Sequence, residues 1–279
     1  MAIRFVADSA CDLDSEFAAE NNIVILPMRI SFGDEEFMEN VTLSNEEFYA
    51  RLEANKQPPK TSLVNQYAWE QAFNDGLAAG DKVIAVTLSE KLSGTHNAAK
   101  MAKETLGSPD VFLIDSAQVS FSIAALIIEG VKMAKDGKSV DAIYERLNAL
   151  KNKVRIFACI NSLRYLKEGG RMSAVAALVG SLVNIKPIVT MKNGIVANIG
   201  KAIGAKKAHL AVMNKLKEEE YDENMPVYFG HGNAKSALLE FMANVKQNFK
   251  ILGGKIFKVG STVGTYAGPG SVAITFFKK

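Results

Sequence analysis

Ser93, Gly94 and Thr95 follow, after the polar turn Ser89 to Leu92, a run that reads as a strand covered on both faces, Val83 to Leu88. They precede a predicted helix running through Leu106. Two hydroxyls and a glycine thus stand at the carboxyl end of a strand and at a helix N-terminus. Unpaired backbone N–H groups and the positive end of the helix dipole meet there. Gly94 lets a ligand approach the backbone, so the corner suits an anion such as a phosphate or a carboxylate. Locally, a plain helix cap is the commoner use of such a serine. Thr61 and Ser62 form a second hydroxyl pair, after the stiff segment Gln57-Pro58-Pro59-Lys60, and read as caps for the helix containing Trp69 and Phe73.

Asp8, Ser9 and Asp12 follow the first predicted strand, Ile3 to Ala7. They fit a Mg²⁺ site, and they fit the capping of the next helix, Ser15 to Asn21, the commoner use of such residues. Ser93 as a nucleophile needs a base, and the candidates are His96 and His231. His96, three residues along a helix, is badly placed to face the hydroxyl. The three histidines, His96, His209 and His231, have no metal-type spacing. No GxxxxGK(S/T), HExxH or GxSxG occurs, and Gly268-Pro269-Gly270 precedes a strand, unlike a dinucleotide fingerprint.

The elements that hold these residues alternate. Ile23 to Met28 and Arg29 to Phe32 read as extended, Ser44 to Ala54 as a helix, and Val111 to Ser116 as a strand ending in polar residues. Ser122 to Asp136 is apolar nearly all round in its first half, as in a helix buried between layers or lining an apolar cavity. Ser139 to Leu150 is amphipathic. This order predicts a mainly parallel, doubly wound sheet whose strand ends gather at one edge. The pattern changes near Lys151-Asn152-Lys153. Beyond it come a strand Ile156 to Ile160, a helix Leu163 to Lys167, and a hairpin turning at Lys192-Asn193-Gly194. Helices Ala205 to Tyr221 and Ala234 to Asn248 follow, with strands at Val227 to Gly232, Lys255 to Val259 and Ser271 to Phe277, and a glycine-rich loop before the last. The expected fold class is α/β, with two α/β domains: 1–155, carrying a mainly parallel sheet, and 156–279, carrying a mixed one.

At 279 residues and 48% hydrophobic, the chain can bury a large core. A net charge of +3, with no basic helix, does not point to nucleic acid. Cys11 and Cys159 belong to no CxxC and read as small buried side chains. The N-terminus, MAIRFVADSACD, reaches acidic residues too soon for a signal peptide. The longest apolar run, Ala174 to Met191, is broken by Asn184, Lys186 and Pro187 and falls short of a membrane span. A cytoplasmic protein is expected.

Taken together, the chain resembles the DegV family of bacterial fatty-acid-binding proteins, the acyl-carrying subunits of fatty acid kinases. The resemblance runs essentially end to end. It rests on Asp8-Ser9, Lys60-Thr61-Ser62, Ser93-Gly94-Thr95 and Ile114-Asp115-Ser116. It continues through Leu163 to Arg171, Asn184 to Ile188, and Gly264-Thr265-Tyr266-Ala267-Gly268-Pro269-Gly270. It implies one long-chain fatty acid buried between the two domains, the second helping to enclose the acyl chain. The hydroxyls of Thr61 and Ser93 would hold the carboxylate, with Ser62, Gly94, Thr95, Thr265 and Tyr266 completing the headgroup site. It implies no catalytic residue, metal or further cofactor. The implied partner is a separate dihydroxyacetone-kinase-like kinase that uses ATP to phosphorylate the carboxylate. Carriage of another amphiphilic anion, or a serine-dependent acyl hydrolase, are the alternatives. The chain departs from the family pattern at Tyr266, where histidine is usual, at Ala267 for threonine, at Ile203 for an arginine implicated in kinase docking, and at Ser122 for glycine.

Overall fold

The computed structural model describes residues 2–55, 57–171 and 184–279. The apolar run from Ala174 therefore lies outside the described residues up to 183. The first part contains β1 (Ile3–Asp8), α1 (Ser15–Glu20), β2 (Val24–Leu26), β3 (Arg29–Phe32), β4 (Glu35–Met38), α2 (Asn45–Ala54) and β5 (Lys60–Ser62). It continues with α3 (Gln66–Ala78), β6 (Lys82–Thr87), α4 (Thr95–Leu106), β7 (Val111–Asp115), α5 (Phe121–Lys135) and α6 (Val140–Leu150). The second part contains β8 (Val154–Cys159), α7 (Arg164–Glu168), β9 (Ile185–Lys192), β10 (Ile195–Ile203), α8 (Ala205–Glu218) and β11 (Pro226–Gly232). It ends with α9 (Lys235–Asn248), β12 (Leu252–Lys258), α10 (Ser261–Ala267) and β13 (Ser271–Phe277).

The first sheet is parallel throughout, in the order β2-β1-β6-β7. Its central strand β6 is apolar and buried on both faces from Val83 on, as a strand covered by helices must be. The second sheet is mixed, in the order β10-β9-β8-β13-β11-β12, with β11 and β12 parallel and its other pairings antiparallel. Both the α/β class and the division into a parallel and a mixed sheet match the expectation. The β9–β10 hairpin turns through Asn193 and Gly194, both at positive φ (52° and 78°), the backbone that asparagine and glycine tolerate best. A small antiparallel sheet, β4-β3-β5, was not anticipated. Lys60 to Ser62 was read as an extended loop, and Ile30↔Thr61 pairing makes it a strand.

Helix α5 lies between the two sheets, packed on β1 and β6 on one side and on β8, β11 and β13 on the other. That explains Ile123 to Ile127, five consecutive residues with no exposed surface. The β13–β8–β9 register gives the second sheet two distinct faces. Ile156, Ala158 and Ala273 turn toward α5 and the first sheet, whereas Phe157, Ile188, Ile274 and Phe276 pack in a separate core with α8 and α9.

Two expectations fail locally. The glycine-rich segment before the last strand is not wholly a loop, since Ser261 to Ala267 forms α10. Nor do Thr61 and Ser62 cap α3: the cap is Asn65, whose Oδ1 accepts from Ala68 N–H at 3.0 Å. The two hydroxyls are left for other partners.

Candidate ligand-binding site

A cavity of about 420 Å³ opens between the two sheets. Its walls are mainly apolar, with Ala10, Leu88 and Phe121 from the first part facing Ile156, Ala158 and Ala273 from the second. The volume is typical of a small-molecule site, and the wall chemistry suits a hydrocarbon.

The polar end is assembled from four separate segments. Thr61 arrives on β5, held by its pairing with Ile30. Tyr266 arrives on α10, and its phenol hydrogen-bonds the Thr61 hydroxyl at 2.6 Å. Ser93 and Gly94 arrive from the β6–α4 corner, where Gly94 is the N-cap residue and donates no side-chain bond. The Ser93 hydroxyl accepts from Thr95 N–H at 3.3 Å and lies 3.0 Å from the Thr95 hydroxyl. It therefore serves the helix terminus weakly, and Ser93 lines the cavity as well. Arg171 comes from the segment after α7. Its guanidinium sits 4.9 Å from the centre of the Tyr266 ring and donates to the carbonyls of Gly169 (2.7 Å) and Leu92 (3.4 Å). Arg171 also lines the cavity, which puts a positive charge at its polar end. Gly169 is needed for this stacking, because a Cβ there would come within 2.4 Å of the Tyr266 ring.

Of the residues singled out from sequence, Thr61, Ser62, Ser93, Gly94 and Tyr266 line the cavity together. Thr95 and Thr265 do not. Thr95 is fully buried beside Ser93, and the Thr265 hydroxyl donates back to the Ser261 carbonyl within α10 at 2.9 Å. Sequence reasoning missed Arg171 as a site residue, although it closes the motif Leu163 to Arg171. Its only signal was a lone cation after two glycines.

The remaining candidates have structural partners. His96 Nδ1 pairs with the Thr87 hydroxyl at 2.8 Å, and His231 Nδ1 accepts from Ala234 N–H at 3.1 Å. Neither imidazole hydrogen-bonds Ser93. Burial lowers the pKa of both. Asp8 and Asp12 do not cap α1, whose cap is Asp14. Asp8 accepts from Leu88 N–H (2.8 Å) and Ala10 N–H (3.2 Å). Asp12 accepts from Gly260 N–H (2.8 Å) and from the Ser120 hydroxyl. Glu39, not noticed in the sequence, accepts from Thr262 N–H (2.9 Å) and the hydroxyls of Thr262 (2.5 Å) and Ser9 (2.6 Å). Burial pushes Asp8 up to about 7 and raises Asp12 and Glu39 as well. Asp12 and Glu39 thus fasten the start of α10 to the segments that follow β1 and β4, while Asp8 ties the end of β1 to the end of β6. No cluster among the described residues has the make-up of a metal site. Ser122 donates to the Val119 carbonyl at 2.5 Å, and Ile203 is 61% exposed at the end of β10.

The family model described as "Uncharacterised protein, DegV family" matches residues 2–279. A DegV domain-containing protein of Clostridium acetobutylicum is 32% identical, over 99% of each chain. Among solved structures, a stearic-acid-binding protein from Eubacterium ventriosum is 30% identical with a TM-score of 0.92, covering 100% of this chain and 99% of that one. The fatty acid kinase B3 protein of Streptococcus pneumoniae, loaded with linoleic acid, shares the fold at 22% identity and a TM-score of 0.88, covering 100% of each chain. With a cavity of this kind and a match over essentially its whole length, the chain belongs to the DegV family.

Proposed function

We propose that this protein holds a long-chain fatty acid in the cavity between its sheets, its carboxylate bound by Thr61, Ser93 and Tyr266 and faced by Arg171. Units 1–155 and 156–279 act as two domains that enclose the acyl chain. The observation that carries the reading is the cavity itself: a hydrocarbon-like wall that ends at hydroxyls and a cation drawn from both halves of the chain. The stearic acid bound by the Eubacterium ventriosum relative supports the ligand class.

The energetics suit such a ligand. Burying about fifteen methylenes at ~0.8 kcal/mol each contributes roughly 12 kcal/mol, against an association cost of about 4–15 kcal/mol. Each hydrogen bond to the carboxylate adds about 1.5–3 kcal/mol. The tail supplies most of the attraction, and the hydroxyls fix where the carboxylate lies. A carboxylate without them would be costly to bury.

The protein performs no chemistry of its own in this reading. It works in the cytoplasm and presents the carboxylate to a separate ATP-dependent, dihydroxyacetone-kinase-like enzyme. The kinase-related name of the Streptococcus pneumoniae protein agrees with that role. The test is a titration with a long-chain acid and the alcohol of equal length. Tight binding of the acid, lost when the cavity wall is filled by Ala158→Trp or Ala273→Trp, supports it. No binding of any long-chain acid by the wild type would refute it.

A further inference from the structure

A second crevice, of about 530 Å³, lies on the opposite face of the second sheet. The strand register makes it distinct from the acyl cavity. Ala158 and Val189 are paired and face the acyl cavity. Their alternates Phe157 and Thr190 therefore face the other way, toward α8, and both line the second crevice. By the same alternation, Arg155 of β8 and Lys192 of β9 share this face and line the crevice. Phe276 pairs with Arg155, which brings Lys278, two residues on, to the same face of β13. Three neighbouring strands thus deliver three cations to one face of the sheet. Lys151 and Lys215 join them at the walls.

Like charges set opposite each other on neighbouring strands are destabilising. The carboxylates present do not cancel them. Glu219 serves both Lys278 (2.8 Å) and Arg155 (3.9 Å), and Glu218 pairs with Lys215 (2.5 Å). Lys192 makes no ion pair among the described residues. Five cations against two carboxylates leave the crevice strongly positive, with walls that concentrate the field.

The floor adds an independent observation. Gln118 and Thr190, 4% and 8% exposed, line the crevice with Gln118 Oε1 and Thr190 Oγ1 lacking any hydrogen-bond partner among the described residues. Buried polar atoms are seldom left so. Gln118 Nε2 already donates to the Lys151 carbonyl at 3.4 Å, so Oε1 calls for a donor. An alcohol hydroxyl supplies one, and on an organic phosphate it does so without using an oxygen that the cations hold.

We propose that this crevice binds a small organic phosphate that also carries hydroxyl groups. The phosphate lies against Lys192, Arg155 and Lys278, and a hydroxyl donates to Gln118 Oε1 or Thr190 Oγ1. The site opens on the other face of the sheet from the acyl cavity, and Thr190 and Met191 line both.

Calorimetric titration of the full chain with β-glycerophosphate, inorganic phosphate and glycerol, at ionic strength fixed with sodium chloride, tests this. Saturable binding of β-glycerophosphate, weaker binding of inorganic phosphate and none of glycerol are expected. Lys192 is exposed, so Lys192→Ala should fold normally and weaken both phosphates about tenfold, the loss of a charge-assisted hydrogen bond. Its unliganded melting temperature should equal or exceed that of the wild type, because one of the clustered positive charges is gone. Thr190→Val should weaken β-glycerophosphate alone. No saturable heat with either phosphate, or binding that Lys192→Ala leaves unchanged, overturns the site. Equal affinity for the two phosphates in wild type and Thr190→Val overturns the hydroxyl-bearing ligand.

Discussion

Ser93 stands one residue ahead of the N-cap of α4, so its hydroxyl could matter to the helix, to the ligand or to both. The two roles separate experimentally. Losing a cap costs about 0.5–2 kcal/mol of stability. Losing a hydrogen bond to a carboxylate costs about 1.5–3 kcal/mol of affinity, roughly 10- to 150-fold in Kd. Ser93→Ala should therefore weaken a fatty acid by that factor and leave the matching alcohol nearly unchanged. Thr61→Ala should act alike, and the double variant should lose less than the sum, since both hydroxyls serve one carboxylate. If Ser93→Ala lowers the melting temperature yet keeps acid affinity within about twofold, the hydroxyl is only a cap. Ser93 should also resist serine-directed phosphonates, because both candidates for a base, His96 and His231, are engaged elsewhere. Stoichiometric labelling there would favour a hydrolase. Ser93 was legible in the sequence as a hydroxyl between a strand and a helix start, whereas Thr61 entered the site only through the family resemblance, because its local reading as a cap for α3 fails. Arg171 was not legible, since its place over Tyr266 depends on α10, ninety-odd residues away in the chain.

At the scale of elements, α10 shows what local patterns cannot carry. Ser-Thr-Val-Gly-Thr-Tyr-Ala is poor in helix formers, and the segment reads as a loop. Its helical start is held instead by Asp12 and Glu39, which are 248 and 223 residues away from the N–H groups they bind. Glu39→Ala leaves Thr262 N–H buried without a partner, which costs about 1–3 kcal/mol. It should weaken acid binding too, because α10 carries Tyr266. Unchanged stability and affinity would show that α10 stands without the clamp. The same network predicts a pH dependence. Asp8 titrates at about 7 in the fold and near 3.9 when unfolded, so the folded state binds the proton more tightly. Its contribution is fully present below the unfolded value and is lost as pH rises to about 7, a change of about 4 kcal/mol. Chemical denaturation from pH 4 to 8 should show the stability of wild type minus that of Asp8→Asn falling across this window. A flat difference would mean Asp8 is ionised throughout. By contrast, α5 was readable as a helix between layers, because burial on all sides leaves a continuous apolar signature.

For the molecule as a whole, the alternation of strands and helices and the later hairpin were enough to give the two sheets. What the sequence did not reveal is how they face each other, because the cavity arises between surfaces formed by residues far apart. Ile203 is exposed at the far end of β10, where the family resemblance leads us to expect an arginine. Ile203→Arg should raise acyl phosphate formation with a separate dihydroxyacetone-kinase-like kinase and ATP, and the protein alone should form none. Reduced turnover in Ile203→Arg would place the docking surface elsewhere. The central claim, a hydrocarbon chain enclosed between the sheets with its carboxylate at Thr61 and Ser93, is tested most directly by native mass spectrometry of the protein purified from cells. A single long-chain fatty acid per chain, retained by the wild type and depleted in Thr61→Ala/Ser93→Ala, is the predicted result. A bare chain that takes up no added fatty acid, or an equal load in the double variant, would contradict it.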